Sequence, residues 1–399
     1  MENQLNVLSR EIRRRELEEA QVEDPLFDQY NVRTDLALEA TEVVRARTGQ
    51  DVPGAQIDEE ETEFAKVTRM SIYSAQAARS LGKLPGHYCT IESPGLRNRD
   101  RVLQEEVSQI FAKEISRFLT RIAPEALVMV VGLGNWNATP DALGPKVVNQ
   151  LLVTRHLFAM SPPELRQGLR PVAAIAPGVL GITGIETAEI VFSLVKQVHP
   201  AMVIAIDALA SRSTDRLCTT IQISDSGVHP GSGVGNRRMG ITPESLGVPV
   251  LAVGVPTVVH AVTLVADALD AIRSREAAAL APTPAPAAPQ AEATAGQAEQ
   301  GPFAGIGRFL AGPPAAGADN STADSQQAQA SARSSPGIST PPPGPGDLAD
   351  LLGPETGSLI ITPRQIDLFI NDVAKVVAGG LNAALHPDIE LSDVMRYLQ

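Results

Sequence analysis

Two aspartates, Asp141 and Asp207, stand where α/β proteins do acid/base chemistry. The first lies in V-M-V-V-G-L-G-N-W-N-A-T-P-D-A-L-G-P (Val128–Pro145), an apolar run followed by a glycine-rich turn and a helix start. The second closes the apolar part of A-M-V-I-A-I-D-A-L-A (Ala201–Ala210). A carboxylate directly after a buried strand carries a desolvation cost and needs a partner or a function. Two carboxylates held close cannot both ionise, so their titrations split. One then acts as base on a water while the other donates a proton, which is the chemistry of hydrolysis.

Each aspartate also has a structural account. Thr139-Pro140-Asp141 reads as a helix start, with Thr as N-cap, Pro at the first helical position and Asp facing the positive end of the dipole. Capping alone accounts for Asp141. The same dipole favours its ionised form and makes Asp141 the more acidic of the two. For Asp207 the structural alternative is an ion pair with Arg212, five residues on.

Other chemistries fit poorly. Gly132-Leu133-Gly134 lacks the third glycine of a dinucleotide fingerprint, and no Lys-Ser/Thr follows as in a P-loop. There is no G-x-S-x-G elbow, so His229 enters no nucleophile triad. The six histidines form no H-x-x-x-H or H-E-x-x-H pair. His260, in an apolar stretch read as a helix, is either a core residue or a third metal ligand beside the two aspartates. No metal or other cofactor is assigned. The segment S-D-S-G-V-H-P-G-S-G-V-G-N-R-R (Ser224–Arg238) is a glycine-rich loop, either the wall of a cleft or ordinary surface.

The bulk numbers bound the rest. The chain has 399 residues, of which 43% are hydrophobic and only 4% aromatic, enough for a sizeable core built from Val, Leu, Ile and Ala. The net charge of −13 argues against general binding to nucleic acid or an anionic membrane. The two cysteines, Cys89 and Cys218, belong to no C-x-x-C pair and suit a reducing compartment. The N-terminus has no apolar core of a secretory signal. Val248–Ala266 is long enough to suggest a membrane span, but Pro249, Gly254, Pro256 and His260 favour strand, turn and buried helix. The expected location is the cytoplasm.

The elements that must position the two aspartates follow from periodicity. Lys66–Tyr73 and His87–Glu92 alternate like strands, and Asp100–Thr120 has a helical apolar face. Continuous apolar runs at Ala126–Val131, Val172–Ile175, Met202–Ile206, Cys218–Ile223 and Val250–Val253 read as buried strands. They alternate with helices at Pro140–His156, Thr187–Val198 and Val258–Arg273. Glu59, Glu60, Glu61 and Glu63 read as a solvated acidic loop. The fold class implied is α/β: a mostly parallel twisted sheet with helices on both faces, phosphorylase/hydrolase-like, with ligands bound outside the carboxyl ends of the strands. Both aspartates fall there. The domain plan is a charged leader over 1–35, an α/β domain over 36–280, a Pro/Ala/Gly-rich insert over 281–346, and a helical segment over 347–399 that packs on the main domain. In that last segment Thr362-Pro363 is the expected helix start.

The motifs also converge on a family. G-L-G-N-W-N-A-T-P-D-A-L-G-P, L-V-T-R-H-L-F, A-I-A-P-G-V-L-G-I-T-G-I-E-T, I-D-A-L-A-S-R-S and I-Q-I-S-D-S-G-V-H-P-G-S-G-V-G-N resemble the germination protease of endospore-forming bacteria. So do N-V-R-T-D-L-A-L-E-A and I-D-L-F-I-N-D-V-A-K-V-V-A-G-G-L-N-A-A-L-H. The resemblance covers about residues 27–280 and 355–387, and its motifs are long and distinctive. A more distant likeness is to hydrogenase maturation peptidases, which share G-x-G-N, a following acidic residue and a strand ending in D-A.

The resemblance implies an aspartate-type endopeptidase, without metal, that begins the degradation of small acid-soluble spore proteins during germination. It implies Asp141 and Asp207 as the catalytic pair, a self-processed zymogen, a homotetramer, and residence in the forespore or spore core. The processing site falls on T-D-L-A, between Asp35 and Leu36. Arg212, Arg237 or Arg238 are the candidates to receive the acidic residue before the cut. Glu61-Thr62-Glu63-Phe64-Ala65 copies the substrate pattern more closely than the processing site does, and is either a second self-cleavage point or an acidic loop.

Three features depart from the family: a longer leader up to Asp24, the Pro/Ala-rich insert, and His260 where an acidic residue is expected. The last keeps open a metal-assisted processing peptidase of the hydrogenase-maturation type. A non-catalytic α/β ligand-binding module is the third reading.

Overall fold

A computed structural model of the chain describes residues 34–160, 168–229, 239–265 and 359–389, together with positions 162, 166, 268 and 272. The leader before Thr34, Arg237, Arg238 and the 281–346 segment lie outside the described residues.

The chain begins with helix α1 (Ala37–Thr48), the hairpin β1 (Ala55–Glu61) and β2 (Lys66–Ile72), helix α2 (Ala75–Leu81) and β3 (Gly86–Glu92). The long helix α3 (Arg101–Leu119) follows, then β4 (Val128–Gly132), α4 (Leu143–Val148), α5 (Arg155–Met160) and β5 (Val172–Ile175). Next come α6 (Leu180–Thr183), α7 (Thr187–Val198), β6 (Met202–Ser211), β7 (Thr220–Ser224), α8 (Pro243–Leu246) and β8 (Val250–His260). Among the described residues the series ends with the short β9 (Ile360–Ile361) and α9 (Ile366–Leu385).

The nine strands form one sheet in the order β1-β2-β3-β7-β8-β6-β4-β5, with β9 on the far end of β8. The expected α/β architecture is present, but the sheet is mixed. Parallel pairing is confined to β5-β4, β4-β6 and β6-β8. The other half is antiparallel throughout. The reason is connection length. A parallel crossover needs about a dozen residues or more. The connection between β6 and β7 covers only residues 212–219, so β7 returns in the opposite direction. Of the acidic run only Glu63 lies in a turn, since Glu59–Glu61 sit in edge strand β1 opposite Thr68, Val67 and Lys66. Charges on an edge strand also discourage pairing with another chain.

Helices cover both faces of the sheet. On the first face, Val107, Phe111 and Ile115 of α3, Leu143 and Val147 of α4, and Val373, Val376, Val377 and Leu381 of α9 pack on Val128, Val130, Ile204, Ile206, Leu251 and Val253. On the second face, Ala188, Val191 and Val195 of α7 and Leu246 of α8 meet Met129, Val131, Val203 and Ala205. Ala37 and Ala40 of α1 and Ala77, Ala78 and Leu81 of α2 cover Met70, Ile72 and Tyr88 farther along that face. The alternation along β6 therefore assigns Asp207 to the second face, with Val203 and Ala205.

Several boundaries differ from the sequence reading. Asp100 is the N-cap of α3, its side chain accepting from Val102 N–H and Leu103 N–H. Val258, Val259 and His260 belong to β8, which is buried along its whole length; Val248–Ala266 thus holds a central strand. The Thr362-Pro363 cap is not used. Thr362 Oγ1 donates instead to the Thr257 carbonyl at 3.0 Å, tying β9 to β8, and α9 starts at Ile366.

Among the described residues α9 alone is long and apolar enough to cross a membrane, but most of it is buried against α3 and the sheet. It runs straight through Gly379-Gly380, because close packing needs a glycine there. A Cβ on Gly380 would come within 2.5 Å of Phe111 Cδ1 and 2.7 Å of the Ser108 carbonyl. Ser108 Oγ in turn donates to the Val376 carbonyl at 3.1 Å. Gly380→Val is expected to force the two helices apart and to destabilise the fold by about 1–3 kcal/mol. Urea unfolding monitored by far-UV circular dichroism measures it, and an unchanged midpoint would show that the contact does not matter.

Candidate active site

The sheet's parallel half ends in a step. β4 stops at Gly132, opposite Ile206, and the Leu133 N–H still donates to the Ile206 carbonyl at 2.8 Å. β6 continues to Ser211 beside β8. Asp207 is therefore not the end of its strand, as the sequence suggested. It is the first residue to outrun β4, paired with Gly254 of β8. It is only 8% exposed.

Asp141 reaches this step from the loop after β4. Gly134 turns the chain at φ +112°, a conformation that L side chains rarely adopt. The Asn135 N–H then donates to the Asp141 carbonyl at 3.0 Å, and the Asp141 N–H donates to the Ala138 carbonyl at 2.8 Å. Thr139–Asp141 form one 3-10 turn, with α4 starting only at Leu143. Thr139 is not a side-chain cap, and Asp141 lies outside the α-helix. Proline fits early in a 3-10 turn as it fits early in a helix, so the sequence signal was real but the element shorter. The Gly-Leu-Gly turn serves proximity rather than phosphate binding. A Cβ on Gly134 would collide with the Asp141 carbonyl and stand 3.0 Å from Asp141 Oδ1. Gly134 thus lets Asp141 fold back over the end of β4.

The electrostatics at Asp207 are one-sided. Burial pushes its carboxyl well above the ordinary value, and the nearby carboxylates of Asp141 and Asp35 push it further. The Ala208 N–H, donating to Asp207 Oδ1 at 2.9 Å, opposes them weakly. The expected ion pair with Arg212 is thus replaced by two groups of like sign. Burial and the two like charges therefore all favour the protonated carboxyl of Asp207.

Asp35 and Leu36, singled out as a processing site, lie on the overhanging end of β6. The Asp35 N–H donates to the Ala210 carbonyl at 2.9 Å, and the Ala210 N–H returns to Asp35 Oδ2 at 2.8 Å. Leu36 is fully buried, and its N–H donates to Thr34 Oγ1 at 3.1 Å. Gln222 of β7 spans the next peptide, with Nε2 donating to the Asp35 carbonyl at 3.2 Å and Oε1 accepting from the Ala37 N–H at 2.7 Å. Lys83 donates to the Thr34 carbonyl at 2.8 Å. Burial lowers the Lys83 pKa, against the pull of Asp35 and Glu39. Glu39, almost wholly buried, accepts from the Arg212 N–H at 2.6 Å and the Ser213 N–H at 3.0 Å, and faces Arg216 at 3.3 Å. Strand end, leader and α1 are thereby stitched together.

The structure thus brings together Asp141, Asp207 and Asp35. Arg212 lies close by through its main chain. Gln222, Lys83 and Glu39 escaped the sequence reading. Gln222 did carry a signal, because a glutamine inside T-I-Q-I-S is the same buried polar anomaly that exposed Asp207.

His260 lies six residues past Gly254, the partner of Asp207, along β8, roughly 20 Å at about 3.3 Å per residue. Among the described residues no three His, Cys, Asp or Glu side chains are placed to hold a metal ion. Glu63-Phe64 sits in the tight turn joining β1 and β2, where the Thr62 N–H donates to the Ala65 carbonyl at 2.9 Å. Ser93 Oγ donates to the Phe64 carbonyl at 2.7 Å, and the Phe64 ring packs against the core. A peptide so held is a poor fit to an extended cleavage site.

Comparison with known proteins identifies the family. The germination protease family matches residues 33–284 and 347–398. The germination protease of Halalkalibacterium halodurans is 42% identical over 388 residues, covering 93% of this chain and 98% of that protein. That of Bacillus cereus is 41% identical over 383 residues, covering 94% and 100%. The chain belongs to the germination protease family, and it is a peptidase with a role in germination. A solved structure of a [NiFe] hydrogenase maturation protease, HycI from Thermococcus kodakarensis, is 17% identical and covers 33% of this chain and 74% of its own, with a TM-score of 0.23. So low a score carries no weight for the fold or the site.

The raised Asp207 pKa has a stability consequence. A group titrating higher in the folded than in the unfolded state stabilises the fold fully below its unfolded pKa. That contribution is lost as pH rises through the folded value. Asp207→Asn, which cannot ionise, is expected to raise Tm at neutral pH and to flatten its fall with rising pH. Each pKa unit is worth about 1.4 kcal/mol, and each kcal/mol about 2–4 °C. Calorimetry from pH 4 to 8 on both proteins tests this, and parallel Tm curves would contradict it.

Proposed function

We propose that the chain is an aspartate endopeptidase made as a zymogen. It frees itself by cutting between Asp35 and Leu36, then begins the degradation of small acid-soluble spore proteins. The observation that carries the reading is the juxtaposition at β6. A proton-holding Asp207, a second carboxylate on Asp141 and an acidic-apolar peptide meet at one overhanging strand end.

The chemistry runs on two carboxyls. Asp141, ionised, takes a proton from water, and the water oxygen bonds to the Asp35 carbonyl carbon. Asp207 gives its proton to the Leu36 nitrogen as the C–N bond breaks. Asp35 leaves with a new carboxyl, Leu36 with a free amine, and proton exchange with solvent resets the pair. The acidic residue before the cut is received by the Ala210 N–H, a fixed donor on a rigid strand. Of the three arginines considered for this role, only Arg212 lies among the described residues, and its N–H donates to Glu39 of α1.

The substrate class, the homotetramer and residence in the forespore or spore core are parts of this proposal that rest on the family. The pair needs no metal in this scheme, no cofactor is invoked, and nucleic acid and membrane have no place in it.

Asp141→Asn and Asp207→Asn should each slow cleavage by about 10²–10⁴-fold. N-terminal mapping of protein matured in vitro should give Leu36 and not Phe64, with the same rate in EDTA. Wild-type rates in both Asn variants would overturn the pair, and loss of activity in EDTA would transfer the reading to a metal-assisted peptidase.

A further inference from the structure

We infer that Gln222 is the backbone clamp and carbonyl-polarising donor of the cleavage reaction, an inference that rests on the reading of Asp35–Leu36 as the processed bond. Gln222 grips both sides of that bond through main-chain atoms alone. Its Nε2–H points at the carbonyl of the residue before the cut, at 3.2 Å. Its Oε1 takes the N–H of the second residue after the cut, at 2.7 Å. A single primary amide, with one acceptor and two donors, can do both at once.

The sheet register explains why the residue at this position can serve. Gln222 pairs with Gly254, and Gly254 pairs with Asp207. The three stand in one row across β7, β8 and β6, so their side-chain positions share one face of the sheet. Gln222 and Asp207 flank a residue that has no side chain of its own. The ends of the row are about 10 Å apart at the backbone, two strand spacings. The leader enters along that face, with Asp35 bound to Ala210 of β6 and Ala37 bound to Gln222 of β7. The peptide is thus strung between the strand that carries the proton donor and the strand that carries the amide.

Gln222 is itself only 8% exposed, and its strand is buried at every position. In such a site a fixed donor is worth more than in water, and it gains most when charge builds on the oxygen. That occurs when water adds to the carbonyl carbon. The amide is neutral in the whole pH range, so it adds no further charge beside the carboxyl groups of Asp207, Asp141 and Asp35. Because it reads backbone and not side chain, Gln222 should hold any peptide that presents an acidic residue to Ala210.

The test uses the full chain, with cleavage at 35–36 followed by intact mass. Gln222→Ala removes both contacts. Gln222→Glu keeps the acceptor for the Ala37 N–H and loses the donor to the carbonyl. Both are expected to self-cleave about 10²–10³-fold more slowly than wild type. On a synthetic peptide of residues 31–40 the loss should fall in kcat more than in KM. Gln222→Glu that melts like wild type and cleaves at the wild-type rate would overturn the proposal. So would a loss confined to KM, which marks a tether only.

If both variants unfold at the assay temperature, self-processed wild-type protein is given the same peptide with the Leu36–Ala37 amide replaced by an ester. Loss of that one N–H should cost about tenfold in kcat/KM at the 35–36 bond, and equal rates would overturn the clamp. Asp207→Asn is the control for the underlying reading. If Asp207→Asn cleaves normally, or no N-terminus at Leu36 appears in wild type, the assignment of the bond and the pair has failed, independently of Gln222.

Discussion

The architecture is organised around a concentration of like charge. Asp207 is buried, and Asp141 and Asp35 both act on it with the same sign. Burial and the two neighbouring carboxylates all favour the protonated form of Asp207. Everything nearby serves to hold that arrangement against the repulsion it contains. Gly134 and the 3-10 turn fix Asp141, the overhang of β6 fixes Asp35, and burial fixes Asp207.

Rigidity around the cluster comes from main-chain contacts more than from ion pairs. Glu39 is the exception that shows the rule. It is almost wholly buried, yet two of its closest partners are the backbone N–H groups of Arg212 and Ser213, at 2.6 and 3.0 Å. Charge-assisted bonds to backbone are short and do not depend on flexible side chains. They tie α1 to the segment just past β6, so the leader, the helix that follows it and the strand bearing Asp207 form one mechanical unit.

Much of this was legible in the sequence. The apolar runs at Val128, Val172 and Met202 located strands because strands buried on both faces are continuously apolar, and α7 was found to the residue. Asp207 was singled out by the cost of burying charge, and Asp141 by the glycine-rich turn and helix start in which it stands. What failed has a common cause. Thr-Pro pairs were read by their local preferences, while tertiary contacts decided their elements. Pro140 lies in a short 3-10 turn, and Thr362 bonds across to Thr257. His260 was misplaced because eleven consecutive buried residues of β8 look alike as strand or helix. The antiparallel half was invisible in its pairing, since nothing in a strand's own residues names its neighbour.

The placement of α9 bears on the order in which the protein is made. It comes last among the described elements, yet it walls the first face of the sheet and touches α3, α4 and the start of the Asp141 turn. Lys146 of α4 reaches Asn371 at 2.7 Å, and Arg99 reaches Asp372 at 2.5 Å. Part of the layer over Val128, Val130, Ile204 and Ile206 thus comes from a helix that follows β8 by more than a hundred residues of chain. Domains tend to fold as units during synthesis, and non-local closure comes late. A layer shared between helices so far apart in the chain is complete only once its last member has been made, a delay written into chain order alone.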